Sequence, residues 1–243
     1  MIKRSFITLL SLLCLWQLIV WITHSPTYIL PGPMMSLKAF FTTLPVIARE
    51  SVPTIIETIL GFIFGSLFGA TAAIILVYFK PARLWFMPVL LISQALPTFA
   101  IAPLFVLWFG YGMASKIAVT MLMIFFPVTS SFYDGLKRTP QAYLNMAQMM
   151  NASHWRTLIH IQIPAALPNL ASGLRVAATF APMGAVIGEW VGASQGLGYL
   201  LLNDNARMQI ADMFAVLLVI IVLTLLLYAL VDRLLKKLIF WKA

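Results

Sequence analysis

The chain has 243 residues, 62% of them hydrophobic and 9% charged, with a mean hydropathy of +0.97. A soluble domain must present polar groups to water and cannot be built from this composition, so a lipid bilayer is the fitting solvent. The formal charge of +9 does not indicate nucleic acid, because no soluble domain is visible to carry a basic patch, while the single Cys14 excludes an intrachain disulfide and His24, His154 and His160 lack a metal-ligand pattern.

Lys3 and Arg4 precede an apolar run over residues 5–23. The run resembles a signal peptide, but it is long and no small-x-small cleavage site follows before Pro26, so a retained first span is expected. Crossing the hydrocarbon takes roughly 20 apolar residues, and further candidates lie at 53–79, 85–108, 116–133, 168–190 and 213–231. The expectation is an all-α, polytopic bundle of about six transmembrane helices in one domain, 1–243, with both termini on one side.

Basic residues set the side. Lys3, Arg4, Lys80, Arg83, Lys137, Arg138, Arg156, Arg233, Lys236, Lys237 and Lys242 fall on the terminal side, against Lys38, Arg49, Lys116 and Arg207 opposite. Short cytoplasmic loops retain Lys and Arg, so both termini are expected in the cytoplasm. Between the first two spans, Leu30-Pro31-Gly32-Pro33 suits a turn, and the stretch to Pro53 suits a helix lying along the outer face. Gly61, Gly65 and Gly69 repeat every four residues, so they line one helix face and favour close packing. Pro88, Pro97, Pro103 and Pro127 interrupt the third and fourth spans and release backbone carbonyls there.

The longest polar interruption on the inner side is 134–167. Thr139-Pro140 reads as N-cap and first helical position, Asn151 as the left-handed residue ending that helix, Ser153 as the next cap and Pro164 as its stop. Met146, Met149, Met150, Trp155, Leu158 and Ile159 supply apolar surface at helical spacing. Such a surface packs on the inner ends of the spans, lies at the headgroups, or docks into a groove of a soluble partner, where flexible Met side chains suit a moving interface.

Near the outer end of the fifth span, Glu189 beside Trp190 is the one acidic residue on a span that also carries an internal proline, Pro182. An ionisable group at that depth is either an ion pair or anchor, or part of a pathway or gate. The stretch 194–199, with Gly196 and Gly198, is too short and Gly-rich for regular structure and suits a re-entrant segment or gate. No G-x-x-x-x-G-K-[ST] loop occurs, so ATP phosphates have no such cradle here. No catalytic constellation is evident: Glu57 and Glu189 sit on different spans without a histidine partner.

Asn145-Met146-Ala147, three residues, Asn151, nine residues, then Ile161-Gln162-Ile163-Pro164 keep the spacing of the EAA loop of ABC importer permeases, Glu-Ala-Ala-x3-Gly-x9-Ile-x-Leu-Pro. The family's Glu is Asn145 here, its first Ala is Met146, its Gly is Asn151 and its Leu is Ile163. Leu30-Pro31-Gly32-Pro33, residues 103–110, residues 164–170 and Gly173-Leu174-Arg175 extend the likeness over most of the chain. It resembles the branch that includes sulfonate, taurine, nitrate and thiamine-pyrimidine-precursor permeases, and residues 188–192 and 205–208 look most like the pyrimidine-precursor type.

The resemblance implies a MetI-like permease fold in the bacterial inner membrane and no cofactor held by this chain. It implies a second permease copy, two ATP-binding subunits carrying ATP and Mg, and an outside solute-binding protein. The loop would couple ATPase closure to alternating access, so the chain itself would not be an enzyme. Losing the acidic residue at Asn145 removes one customary contact with the ATPase. An ion-coupled secondary transporter or channel is the alternative, and it calls for inverted repeats or several buried charges.

Overall fold

The computed structural model describes the backbone of residues 2–239 and the side chains of these except 2–6, 9, 80, 82, 83, 91 and 93–95. The side chains of Lys3, Arg4, Lys80, Arg83 and Lys242, which entered the sidedness argument, therefore lie outside what is described. The described residues form helices α1 (Ile2–Thr23), α2 (Pro33–Tyr78), α3 (Lys80–Ala95), α4 (Thr98–Phe109), α5 (Met113–Lys137), α6 (Gln141–Met149) and α7 (His154–Thr157). A π-helical turn (Leu158–Gln162), α8 (Ile163–Gly192), α9 (Leu197–Ala206) and α10 (Ile210–Leu238) follow, with no strand among them.

Four helical stretches are long and apolar enough to cross a membrane: Pro33–Tyr78, Met113–Lys137, His154–Gly192 and Ile210–Leu238. Two shorter apolar helices, Leu10–Thr23 and Thr98–Phe109, accompany them. The expected outer-face helix and second span are one 46-residue helix, α2, about 69 Å long at 1.5 Å per residue. Pro45 and Pro53 lie inside α2 without ending it. Each proline removes one ladder bond, while burial of Ala39 and Ile47 holds the segment in register against α9 and α10.

The span expected over 85–108 is instead two helices, α3 and α4. Leu96 is extended (φ −80°, ψ 123°) because a following proline disfavours the helical region. The helix breaks there.

Helix α5 is the centre of the bundle, flanked by α2 and α8, with α4 against α5 and α8, and α10 against α2, α8 and α9. The close approach on both flanks depends on glycine. A Cβ on Gly61 would stand 2.4 Å from Thr120 Cγ2, and one on Gly65 2.6 Å from Ile124 Cγ1. Next to Gly69, Thr129 Oγ1 donates to the Gly69 carbonyl at 3.1 Å. Because lipid is as apolar as a leucine side chain, such backbone proximity and interhelical bonds replace the hydrophobic drive of a soluble core.

Three layers of buried side chains stack along the bundle. Ile47, Val186, Leu197 and Val216 pack at the outer end, Ile124, Val128, Ala177 and Ala181 in the middle, and Leu76, Phe132, Leu136 and Leu158 at the inner end. Arg175 of α8 donates to Asp232 of α10 at 2.8 Å, and Lys236 also pairs with Asp232 at 2.7 Å. The charge thus stays paired.

Candidate functional site

At the inner end the loop folds into two short helices and a continuation. Helix α6 starts at Gln141 with Pro140 at its N-cap, one residue later than the sequence suggested. The Thr139 hydroxyl does not cap it but donates back to the Leu136 carbonyl at 2.9 Å. Asn151 has φ 52°, a left-handed conformation that asparagine tolerates. Ser153 Oγ accepts from Arg156 N at 3.3 Å and opens α7.

Pro164 does not stop this helix. His154–Gly192 is one helical stretch of 39 residues. The π-helical turn at Leu158–Gln162 precedes Pro164, which occupies the first turn of α8, where its missing N–H is tolerated. Ile161, Ile163 and Pro164 lie half-buried in this junction. Leu158 is buried against Leu76, Phe132 and Leu136, and the Tyr78 ring at the inner end of α2 meets His154 and Trp155 at centroid distances of 5.4 and 5.3 Å.

Around α6 the exposed large apolar side chains are Tyr143, Met146, Met149 and Met150, the last two 86% and 76% exposed. Asn145 is exposed, and its Oδ1 accepts from Gln141 Nε2 at 3.0 Å. Ala147 is 2% exposed, so its methyl points into the chain rather than outward. The loop therefore offers a methionine-rich knob, followed by a junction that packs on α2 and α5.

At the outer end α9 starts inside the protein, and three N–H groups at its start donate to side-chain oxygens of other segments. Gly196 N donates to Glu50 Oε2 at 2.8 Å, Leu197 N to Thr54 Oγ1 at 2.9 Å, and Gly198 N to Glu189 Oε2 at 2.5 Å. The Thr54 hydroxyl in turn donates to Glu189 Oε1 at 2.6 Å. Helix N-termini carry unsatisfied donors and a partial positive charge, which carboxylates match.

Gly196 takes φ 110°, and a Cβ there would stand 2.2 Å from Glu189 Oε1. Only glycine admits that backbone at that distance. The 194–199 stretch, expected to be irregular, thus includes the buried start of α9.

Sequence reasoning selected Glu189, Gly196 and Gly198, and the fold brings these three together. It leaves Trp190 apart, its side chain exposed. Sequence reasoning missed Glu50, Thr54 and Lys116 here, and it set Glu57 aside as lying on a different span from Glu189. Glu57, 4% exposed, faces Glu189, and its Oε2 has no hydrogen-bond partner among the described residues. Lys116 is buried nearby, its Nζ donating to the Tyr111 and Gly112 carbonyls at 2.7 and 3.0 Å. The available signal was the spacing Glu50, Thr54, Glu57, which puts all three on one face of a helix.

This arrangement is a bundle with an exposed, methionine-rich loop at one end and a tethered short helix at the other. Residues 61–240 match the family of binding-protein-dependent transport system inner membrane components, and the chain belongs to that family. It is similar to a probable ABC transporter permease protein of Haemophilus influenzae, 48% identical over 94% of this chain and 93% of that one. It is also similar to the formylaminopyrimidine transport permease ThiX of Halalkalibacterium halodurans, 32% identical over 99% of this chain and 98% of that one. The fold matches a MetNI methionine ABC transporter solved in inward-facing conformations, with a TM-score of 0.61 and 18% identity over 80% of this chain and 94% of that one.

The chain is thus the transmembrane permease subunit of an ABC importer, resident in the inner membrane, with a MetI-like fold. ATP hydrolysis falls to separate ATP-binding subunits, and an extracytoplasmic solute-binding protein delivers the solute.

Proposed function

We propose that this permease works as a homodimer with two ATP-binding subunits and imports a thiamine-type pyrimidine precursor by alternating access. The observation that carries the mechanism is the continuous helix from His154 to Gly192. It runs from the methionine-rich knob to Glu189 and the α9 tether, about 57 Å at 1.5 Å per residue.

A displacement of the knob by a closing ATPase moves α7 and α8 together, because Leu158 and Tyr78 pack the junction against α2 and α5. At the far end the same helix carries Glu189, which holds Thr54 and Gly198. The inner and outer openings then respond to one rigid element biased by nucleotide, with ATP and Mg held by the partner. Residues 145–151 and 161–164 act as the coupling element in this reading. Met149 and Met150 supply its contact surface, in place of the acidic contact that Asn145 lacks.

The likeness to ThiX over nearly the whole of both chains supports a pyrimidine as the solute, ahead of a sulfonate, taurine or nitrate. The test is uptake of labelled formylaminopyrimidine into proteoliposomes holding the permease, its ATP-binding subunits and its binding protein. ATP-dependent accumulation is expected. Accumulation by this chain alone without ATP would replace the importer mechanism with an ion-coupled one, and ATP-driven uptake of taurine but not of the pyrimidine would overturn the solute.

A further inference from the structure

Midway through the bundle a hollow of about 380 Å³ opens between the α3–α4 break, α5 and α8. Its depth follows from the helices that line it. Phe180 lies twelve residues from the outer end of α8 at Gly192, and Pro127 ten residues from the inner end of α5 at Lys137, roughly 18 and 15 Å at 1.5 Å per residue.

Three features make this hollow unlike a gap between lipid-facing helices. Leu96 and Pro97, where the backbone leaves helical geometry, are exposed in the single chain. Non-helical backbone at membrane depth is tolerated where protein or an aqueous cavity covers it. Pro127 lacks an N–H, which releases the Met123 carbonyl from the α5 ladder, and both residues line the hollow. Ser130 and Ser131 also line it, and neither hydroxyl makes a hydrogen bond among the described residues. Polar groups left open beside a helix break near the midplane mark solute sites in other transporters.

The lining also states what kind of solute fits. Among the described residues it holds the rings of Phe126 and Phe180, the hydroxyls of Thr98, Ser130 and Ser131, and no charged side chain. A sulfonate or nitrate would lose its hydration there without a cationic partner. A flat neutral heterocycle can stack on a ring and exchange hydrogen bonds with hydroxyls that both donate and accept. The volume suits a small ring.

We propose that this hollow is the solute-contacting site of the pathway and takes an uncharged aminopyrimidine-type ring. Phe180 stacks on the ring, and Ser130 and Ser131 bond its nitrogen substituents. The inference rests on the pyrimidine reading above and assigns residues to it.

The test uses the full transporter in proteoliposomes and compares wild type with the Ser130→Ala/Ser131→Ala double variant, Phe180→Ala and Phe180→Tyr. Wild type is expected to accumulate labelled aminopyrimidine. The serine pair and Phe180→Ala should each lose at least about fivefold in uptake rate, while Phe180→Tyr keeps most of it. Recovery of each variant with its ATP-binding subunits at wild-type yield shows that the permease has folded, and the near-isosteric serine pair decides the matter should Phe180→Ala fail to assemble. Wild-type uptake by the assembled variants would overturn the site. Absence of aminopyrimidine uptake in the wild type itself would overturn the solute reading and the ring class assigned here, a failure distinguishable because it precedes any substitution.

Discussion

The Thr54 hydroxyl donates to Glu189 Oε1 at 2.6 Å across 135 positions of sequence and accepts from Leu197 N at 2.9 Å. One side chain of α2 therefore joins α8 to α9 inside the protein. Replacing it by valine preserves shape and removes both bonds, leaving a buried carboxylate oxygen and a buried N–H unsatisfied, at about 1–3 kcal/mol each. The purified Thr54→Val permease is expected to melt several degrees below wild type, with Thr54→Ser close to wild type. Equal melting temperatures for Thr54→Val and wild type would show that the tether contributes nothing.

Met149 and Met150 are largely exposed, whereas Ala147 is buried. A charge on the exposed knob interferes with a partner, while a charge at Ala147 must be desolvated within the chain. Met149→Asp is expected to leave the permease folded and to cut ATP-driven uptake at least about tenfold. Ala147→Glu should lower the yield of folded permease. Full transport by the Met149→Asp/Met150→Asp double variant would exclude this face as the docking surface.

Gly196 and Gly112 make a matched pair. Gly196 has φ 110° and no room for a Cβ beside Glu189, while a Cβ on Gly112 meets nothing within 4 Å. Strain at such a position costs on the order of 1–3 kcal/mol. Gly196→Ala should therefore lower thermal stability clearly and Gly112→Ala hardly at all, as measured by unfolding of the purified proteins in one detergent.

Asp204, on the re-entrant helix, has its carboxyl pushed from an ordinary 3.8 up to about 6, first by burial and then by the nearby Asp212 charge, with Arg207 opposing. A raised value means that the folded state holds the proton more tightly than the unfolded chain. The associated stability is fully present below the ordinary value and is lost as pH rises through about 6. Asp204→Asn is expected to flatten the stability profile between about pH 4 and about pH 6 and to raise the melting temperature at pH 7. An unchanged pH profile in this variant would assign the titration to another group.

The helical, membrane-embedded character of the chain was legible in its sequence because apolar runs and basic flanks report on the bilayer directly. The register of residues 145–164 likewise marked the inner loop. Cap signals there read less well, since Pro164 opens α8 rather than closing α7 once a π-helical turn absorbs its missing donor.

The outer tether was half legible. Glu189, Gly196 and Gly198 stood out locally, but their partners Glu50 and Thr54 lie over 130 positions away, one on the expected outer-face helix and the other on the expected second span. The composition and periodicity of the sequence thus determined the solvent and the helices. Only the tertiary structure decided which buried acceptors met which buried donors. In a bilayer an unpaired polar group costs several kcal/mol, yet the pairing that satisfies it is set by how distant helices cross, which no local pattern records.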